Sequence, residues 1–167
     1  MNTQRRNSGK RSRMSIVSNS SPLILLAKID RFNLLRDLFK LVYIPKSVYH
    51  EVVIVGAGRA GSKEVEEGIK SGWIMVETVQ ISPELELILG RGEAEAIMLA
   101  EKLKLPLIID ERKGRKIAEK RGIKIIGTLG VLLKAYKLGL ISDLNIEIEK
   151  LVKAGIRIDE DIFRRLL

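Results

Sequence analysis

The stretch RGEAEAIMLAEKLKLPLIID, residues 91–110, sets a helix and a strand back to back. Its first part is rich in Ala, Glu, Leu and Lys, residues that lose little freedom on entering a helix. The pattern predicts a helix that ends near Leu105–Pro106, since proline disfavours helical geometry in the residue before it. The run LPLII then carries no polar alternation and stops at Asp110. An unbroken apolar run of that length is how a strand buried on both faces reads. Helix and two-sided strand together predict an α/β fold with a mainly parallel sheet.

The same alternation extends outward. Apolar runs at residues 15–18, LVYIP (41–45), WIMVETV (73–79) and IKIIG (123–127) predict further strands, giving a roughly five-stranded sheet flanked by helices. Between them the spacing predicts helices over Pro22–Ile29, 31–39, Pro45–Val53, 62–70 with Ser62 as cap, and 82–89. Further helices follow in RKGRKIAEKRG, closed by Gly122, and LGVLLKAYKLG, capped by Thr128, with two more across 142–166. Residues 15–167 form one domain. Residues 1–14, MNTQRRNSGKRSRM, hold five Arg or Lys and no acid and read as a disordered basic tail; Met14 is an alternative start.

Composition narrows the chemistry. The chain has no Cys, which excludes disulfides, thiolate metal sites and a Cys nucleophile, and its single His, His50, leaves little room for an imidazole-based zinc site or a serine triad. No apolar run reaches the length of a membrane span, so a cytoplasmic protein without membrane contact is expected. Any metal must be held by oxygen, which favours Mg²⁺ or Mn²⁺. The net charge of +9 points to an anionic partner, although the tail leaves only +4 to the rest.

In an open α/β sheet the ligand lies at the carboxyl ends of the strands. Asp110 sits at such an end, and Glu93 opens the preceding helix at the same end of the domain. Glu51 lies in KSVYHEVV. Each has an ordinary reading: Asp110 and Glu93 as helix-start acids, Glu51 as a solvated face, Glu95 as a supporting or surface acid, and His50 as a surface residue. At the exit of the first strand, in IVSNSSPLILL (16–26), the polar turn carries Asn19 and Ser20. GAGRAG (56–61) superficially suggests a phosphate loop, but it follows a helix, and the acid about 20 residues on is missing.

Taken in order, VSNSSPLILLAKI, VYIPKSVYHEV, GRGEAEAIMLAEKLKLPLIIDERKGRKIAEKRGIKIIGTLGVLLKAYKLGLI and EKLVKAGIRIDEDIFRRLL resemble the PIN-domain family over residues 15–167, and more closely its archaeal and bacterial branch related to toxin ribonucleases. The resemblance implies a PIN-like three-layer sandwich and Mg²⁺- or Mn²⁺-dependent cleavage of single-stranded RNA. It places Asn19, Glu51, Glu93 and Asp110 at the metal, with Glu51, Glu93 and Asp110 catalytic, and Glu111 beside the last acid. It assigns Ser20, Arg112 and Arg115 to the substrate phosphate, and implies an antitoxin partner and a homodimer. The family's first acid is normally Asp, and this chain departs from it with Asn19. The amide keeps an oxygen but deletes a charge. That predicts a weakened, single-metal nuclease or a catalytically silent RNA- or partner-binding relative, since Asp30 and Asp37 lie too far along the helical stretch to substitute.

Overall fold

The computed structural model describes residues 13–156. Most of the basic tail and the last of the expected helices lie outside the described residues. Strands β1 (Ile16–Ser18), β2 (Val42–Pro45), β3 (Ile74–Glu77), β4 (Leu107–Ile108) and β5 (Ile125–Ile126) form one sheet in the order β3-β2-β1-β4-β5. Every pairing is parallel. The apolar runs alternate faces residue by residue, as a pleated strand must. Ile16 and Ile108 join one buried cluster, while Val17, Leu107 and Ile109 join the other.

Helices cover both faces, and the result is a three-layer sandwich. One layer contains α1 (Ser20–Lys28), α2 (Leu34–Leu38), α4 (Ser62–Lys70), α8 (Thr128–Lys137) and α9 (Leu144–Ala154). The other contains α5 (Pro83–Ile88), α6 (Arg91–Leu103) and α7 (Arg112–Lys120). Helix α6 presents Ala94, Ile97 and Leu99 to the core with no solvent exposure. A fully buried Leu or Ile contributes about 1.5–3 kcal/mol relative to the same side chain in water.

Several elements differ from the sequence reading, each for a local reason. Helix α1 starts at Ser20, two residues before Pro22, with Asn19 in extended geometry at the cap position. The stretch over 31–39 is helical only at Leu34–Leu38. Ser62 is the first helical residue, and the cap is Gly61 in the left-handed region (φ 97°), whose N–H donates to Glu64 Oε2 at 2.9 Å. Thr128 likewise begins its helix, and Gly127 is the cap.

The largest difference follows β2. Helix α3 (Lys46–Tyr49) widens into a π-helical segment, His50–Val55. The Gly56 N–H donates to Glu51 O at 2.9 Å, a five-residue closure. A Cβ at Gly56 would meet Val52 O at 2.5 Å and Glu51 O at 3.0 Å, so the wide turn tolerates no side chain there. GAGRAG is therefore the turn out of this segment into α4, as its place after a helix suggested.

Candidate functional site

The carboxyl ends of β1 and β2 open into a cleft of about 700 Å³ between the starts of α1, α3 and α6. Parallel pairing of β1 with β2 puts the residues after Ser18 and after Pro45 at the same edge. Asn19, Ser20, Glu51 and Glu93 all line the cleft. Asn19 is 5% exposed and its side chain makes no cap bond to α1. Ser20 Oγ donates to Glu51 Oε2 at 2.7 Å, which fixes that carboxylate from the helix that Asn19 precedes.

Gly92 brings α6 close. A Cβ there would lie 3.5 Å from Glu51 Oε2, 3.7 Å from Val48 Cγ2 and 3.8 Å from Asn19 Oδ1, so the glycine lets α6 pass close to both oxygens. One residue on, the Glu93 carboxyl is pushed above its usual range. Burial is the main cause, the charges of Glu111 and Glu51 add to it, and the Gly90 backbone N–H opposes it. Like charges held together in a half-buried site favour a cation between them.

Asp110 is placed differently. It follows β4, beside β1 in the sheet, but its carboxylate turns to the start of α8. Asp110 Oδ1 accepts from Thr128 N at 2.7 Å and Oδ2 from Thr128 Oγ1 at 2.5 Å. Glu111 caps α7, accepting from Lys113 N at 3.0 Å and Gly114 N at 2.6 Å. Arg115 reaches the same turn as Asp110: a Cβ at Gly127 would stand 3.1 Å from Asp110 Oδ1 and 3.3 Å from Arg115 Nη1. Arg112 is exposed in the first turn of α7. Neither arginine lines the cleft.

Among the described residues, no three acid or histidine side chains are arranged around one point as a ready metal cage. What the cleft offers is the Glu51 and Glu93 carboxylates and the Asn19 amide oxygen. Mg²⁺ keeps several waters and is commonly held by one or two carboxylates plus substrate phosphate. The residues fit an ion of that kind, held by Asn19, Glu51 and Glu93.

Of the supporting and surface roles the sequence left open for Glu95, its 6% exposure agrees with the supporting one. Its Oε2 accepts from Ser47 N at 3.1 Å, tying α6 to the start of α3, and its Oε1 stands 3.8 Å from Arg91 Nε. Lys46 and Arg91, which sequence reasoning missed, also line the cleft, as does His50. The position of Lys46 directly after a strand was the available signal.

The profile of a PIN domain family, DUF3368, matches residues 15–167. The chain belongs to the PIN domain family. Among curated proteins none matches it. The PIN fold seen here is similar to that of a PilT N-terminus domain protein of the hyperthermophilic archaeon Sulfolobus solfataricus. The TM-score is 0.49 at 17% identity, over 73% of this chain and 93% of that one. A domain of a functionally unknown protein from Methanocaldococcus jannaschii gives 0.47 at 20% identity, over 68% and 90%. Likenesses at this level speak to neither activity nor substrate. No helix among the described residues is long and apolar enough to cross a membrane.

Proposed function

We propose that this PIN domain is a divalent-metal-dependent endoribonuclease of the toxin type that cleaves single-stranded RNA, with turnover reduced by Asn19. The observation that carries the reading is that Asn19, Glu51 and Glu93 line one cleft, with Asn19 Oδ1 and Glu51 Oε2 both close to Gly92. A divalent ion bound there would lower the pKa of an attacking water and offset charge on the phosphate. Ser20 holds Glu51 in place from the opposite helix. Glu93 lies on the wall contributed by α6, its carboxyl raised above the usual range first by burial and then by the charges of Glu111 and Glu51. Asn19 supplies an oxygen without charge, so affinity for the ion is lower than an Asp would give.

The test is cleavage of purified single-stranded and structured RNAs with Mn²⁺ and with EDTA. Metal-dependent cleavage of the single strands, lost in Glu93→Gln, is expected. Absence of cleavage, or cleavage that survives Glu93→Gln, overturns the reading. A second reading, a catalytically silent RNA- or partner-binding module, is favoured by Asn19 and by the engagement of Asp110 with Thr128. It predicts salt-dependent RNA retention without turnover and no heat on titration with Mn²⁺. An antitoxin covering the cleft, a homodimer and a cytoplasmic setting accompany the toxin reading as proposals.

A further inference from the structure

The cleft has two levels of opposite charge. Glu95 and Asn19 form its buried wall, with Glu93 half-buried beside them. Lys46 is exposed at its mouth, and Arg91, across from it on α6, has a side chain 70% exposed. Lys46 opens the single turn of α3, and Arg91 opens the 13-residue α6, where it opposes the positive end of the helix, a placement that calls for an anion close by.

The structure supplies part of that anion for Arg91 alone. Glu95 is buried, and one of its oxygens accepts from the Ser47 N–H. The other faces Arg91 at 3.8 Å, too long for a hydrogen bond but close enough to hold the guanidinium over the cleft. The guanidinium therefore keeps its donors for a second partner. Lys46 has no ion-pair partner among the described residues.

We infer that Lys46 and Arg91 form a two-point clamp for consecutive phosphates of an RNA backbone, with Glu95 as the residue that positions Arg91. The clamp works without the divalent ion. In a site walled only by acids, phosphate approach must wait for a cation to neutralise the repulsion. Here two mouth cations, Lys46 and Arg91, stand against three acids, Glu51, Glu93 and Glu95, and Asn19 keeps out a fourth. RNA would be gripped at the mouth first, leaving Asn19, Glu51 and Glu93 to hold an ion where one binds. This deepens the ribonuclease reading and rests on it for the identity of the anion.

The experiment is fluorescence anisotropy of a labelled single-stranded RNA dodecamer in EDTA, repeated across a salt series. The wild-type chain binds without metal, and log affinity falls linearly with log salt. Lys46→Ala and Arg91→Ala each lower that slope by about 0.7, the value for one phosphate contact on a single strand, and together weaken binding about tenfold or more at low salt. Glu95→Gln keeps an acceptor for Ser47 N–H and lowers the slope in the same direction as Arg91→Ala, which a merely structural role would not do. Lys70→Ala, an exposed cation on α4, leaves the slope unchanged. Circular dichroism confirms that each variant is folded.

RNA binding that requires Mn²⁺, or a Lys46→Ala/Arg91→Ala pair within twofold of wild type, overturns the clamp. Cleavage with Mn²⁺ serves as the separate readout. Cleavage without metal-free binding sinks the clamp and leaves the nuclease standing. Metal-free binding with intact clamp dependence but no cleavage sinks the nuclease and leaves the clamp.

Discussion

The two halves of the sheet edge treat the same kind of residue in opposite ways. At β1, β2 and α6, acids are left short of donors: Glu51 receives the Ser20 hydroxyl, and Glu93 is raised by burial and by neighbouring charge. At β4 and β5, acids are consumed by helix starts. Asp110 spends both oxygens on Thr128, and Glu111 spends both on the first turn of α7. Both halves place carboxylates at the carboxyl ends of parallel strands. What separates the two sets is how many donors meet each acid: Glu51 accepts one side-chain hydroxyl, whereas Asp110 and Glu111 each accept two bonds from the start of a helix.

That contrast is breakable. Its largest expected consequence is catalytic: Glu51→Gln lowers Mn²⁺-dependent RNA cleavage by about a hundredfold or more, whereas Asp110→Asn lowers it by less than tenfold. Single-turnover cleavage at saturating Mn²⁺ decides this, and equal losses would erase the distinction between the two halves. For stability the order reverses. Asp110→Asn weakens the charged acceptor for Thr128 and costs about 1–2 kcal/mol in urea unfolding, while Glu51→Gln costs under about 0.5 kcal/mol.

A further carboxylate is held by charge rather than by helix-start donors, and its Oε2 is buried without a hydrogen-bond partner. Glu147 on α9, nearly inaccessible to solvent, accepts from Arg31 Nη2 at 2.8 Å and has Lys150 at 3.5 Å. The hydrogen bond from Arg31 holds this carboxyl below its usual range against the opposing effect of burial. A lowered folded-state pKa means the pair stabilises the protein above the unfolded glutamate's pKa, and that contribution is lost as pH falls through the lower folded value. Arg31→Met therefore costs about 2 kcal/mol near neutral pH, below the range for fully buried pairs because Arg31 is a third exposed. The deficit shrinks in acid, and thermal melts over a pH series measure it. A deficit constant with pH would mean that Arg31 acts through packing alone.

Metal affinity gives the next step down. Asn19→Asp restores a charge in the cleft and raises Mn²⁺ affinity by about tenfold, roughly 1.4 kcal/mol, by titration calorimetry. The smallest effect has two signs. Gly92→Ala meets nothing closer than 3.5 Å and favours the helix by about 0.5–1 kcal/mol. The same methyl stands close to Glu51 Oε2 and Asn19 Oδ1 and weakens Mn²⁺ binding.

The α/β class, the strand positions and the chain order of the acids were legible because they depend on local pattern. Two-sided burial of LPLII produces its apolar run directly, and Glu93 reaches the strand-end edge because a helix must return to the next parallel strand. What each acid does was not legible. The fate of Asp110 depends on how the β5–α8 turn presents Thr128, a neighbour 18 residues away. Glu95 reads as either a supporting or a surface acid, since only the packing of α6 on the start of α3 buries it against Ser47. The π-helical widening at His50–Val55 leaves no periodic signature over so short a span, and its one trace, Gly56, is hidden among other loop glycines.

That wide turn has a bearing on how the protein tolerates change. Residue 56 carries no charge, faces no ligand and sits where a surface connection would normally accept substitution. Any methyl there would press on the Val52 and Glu51 carbonyl oxygens, so the backbone that carries Glu51 would have to shift. A mutational survey should find an intolerant spot in an unremarkable-looking loop, silent about chemistry yet setting the aim of a side chain five positions upstream.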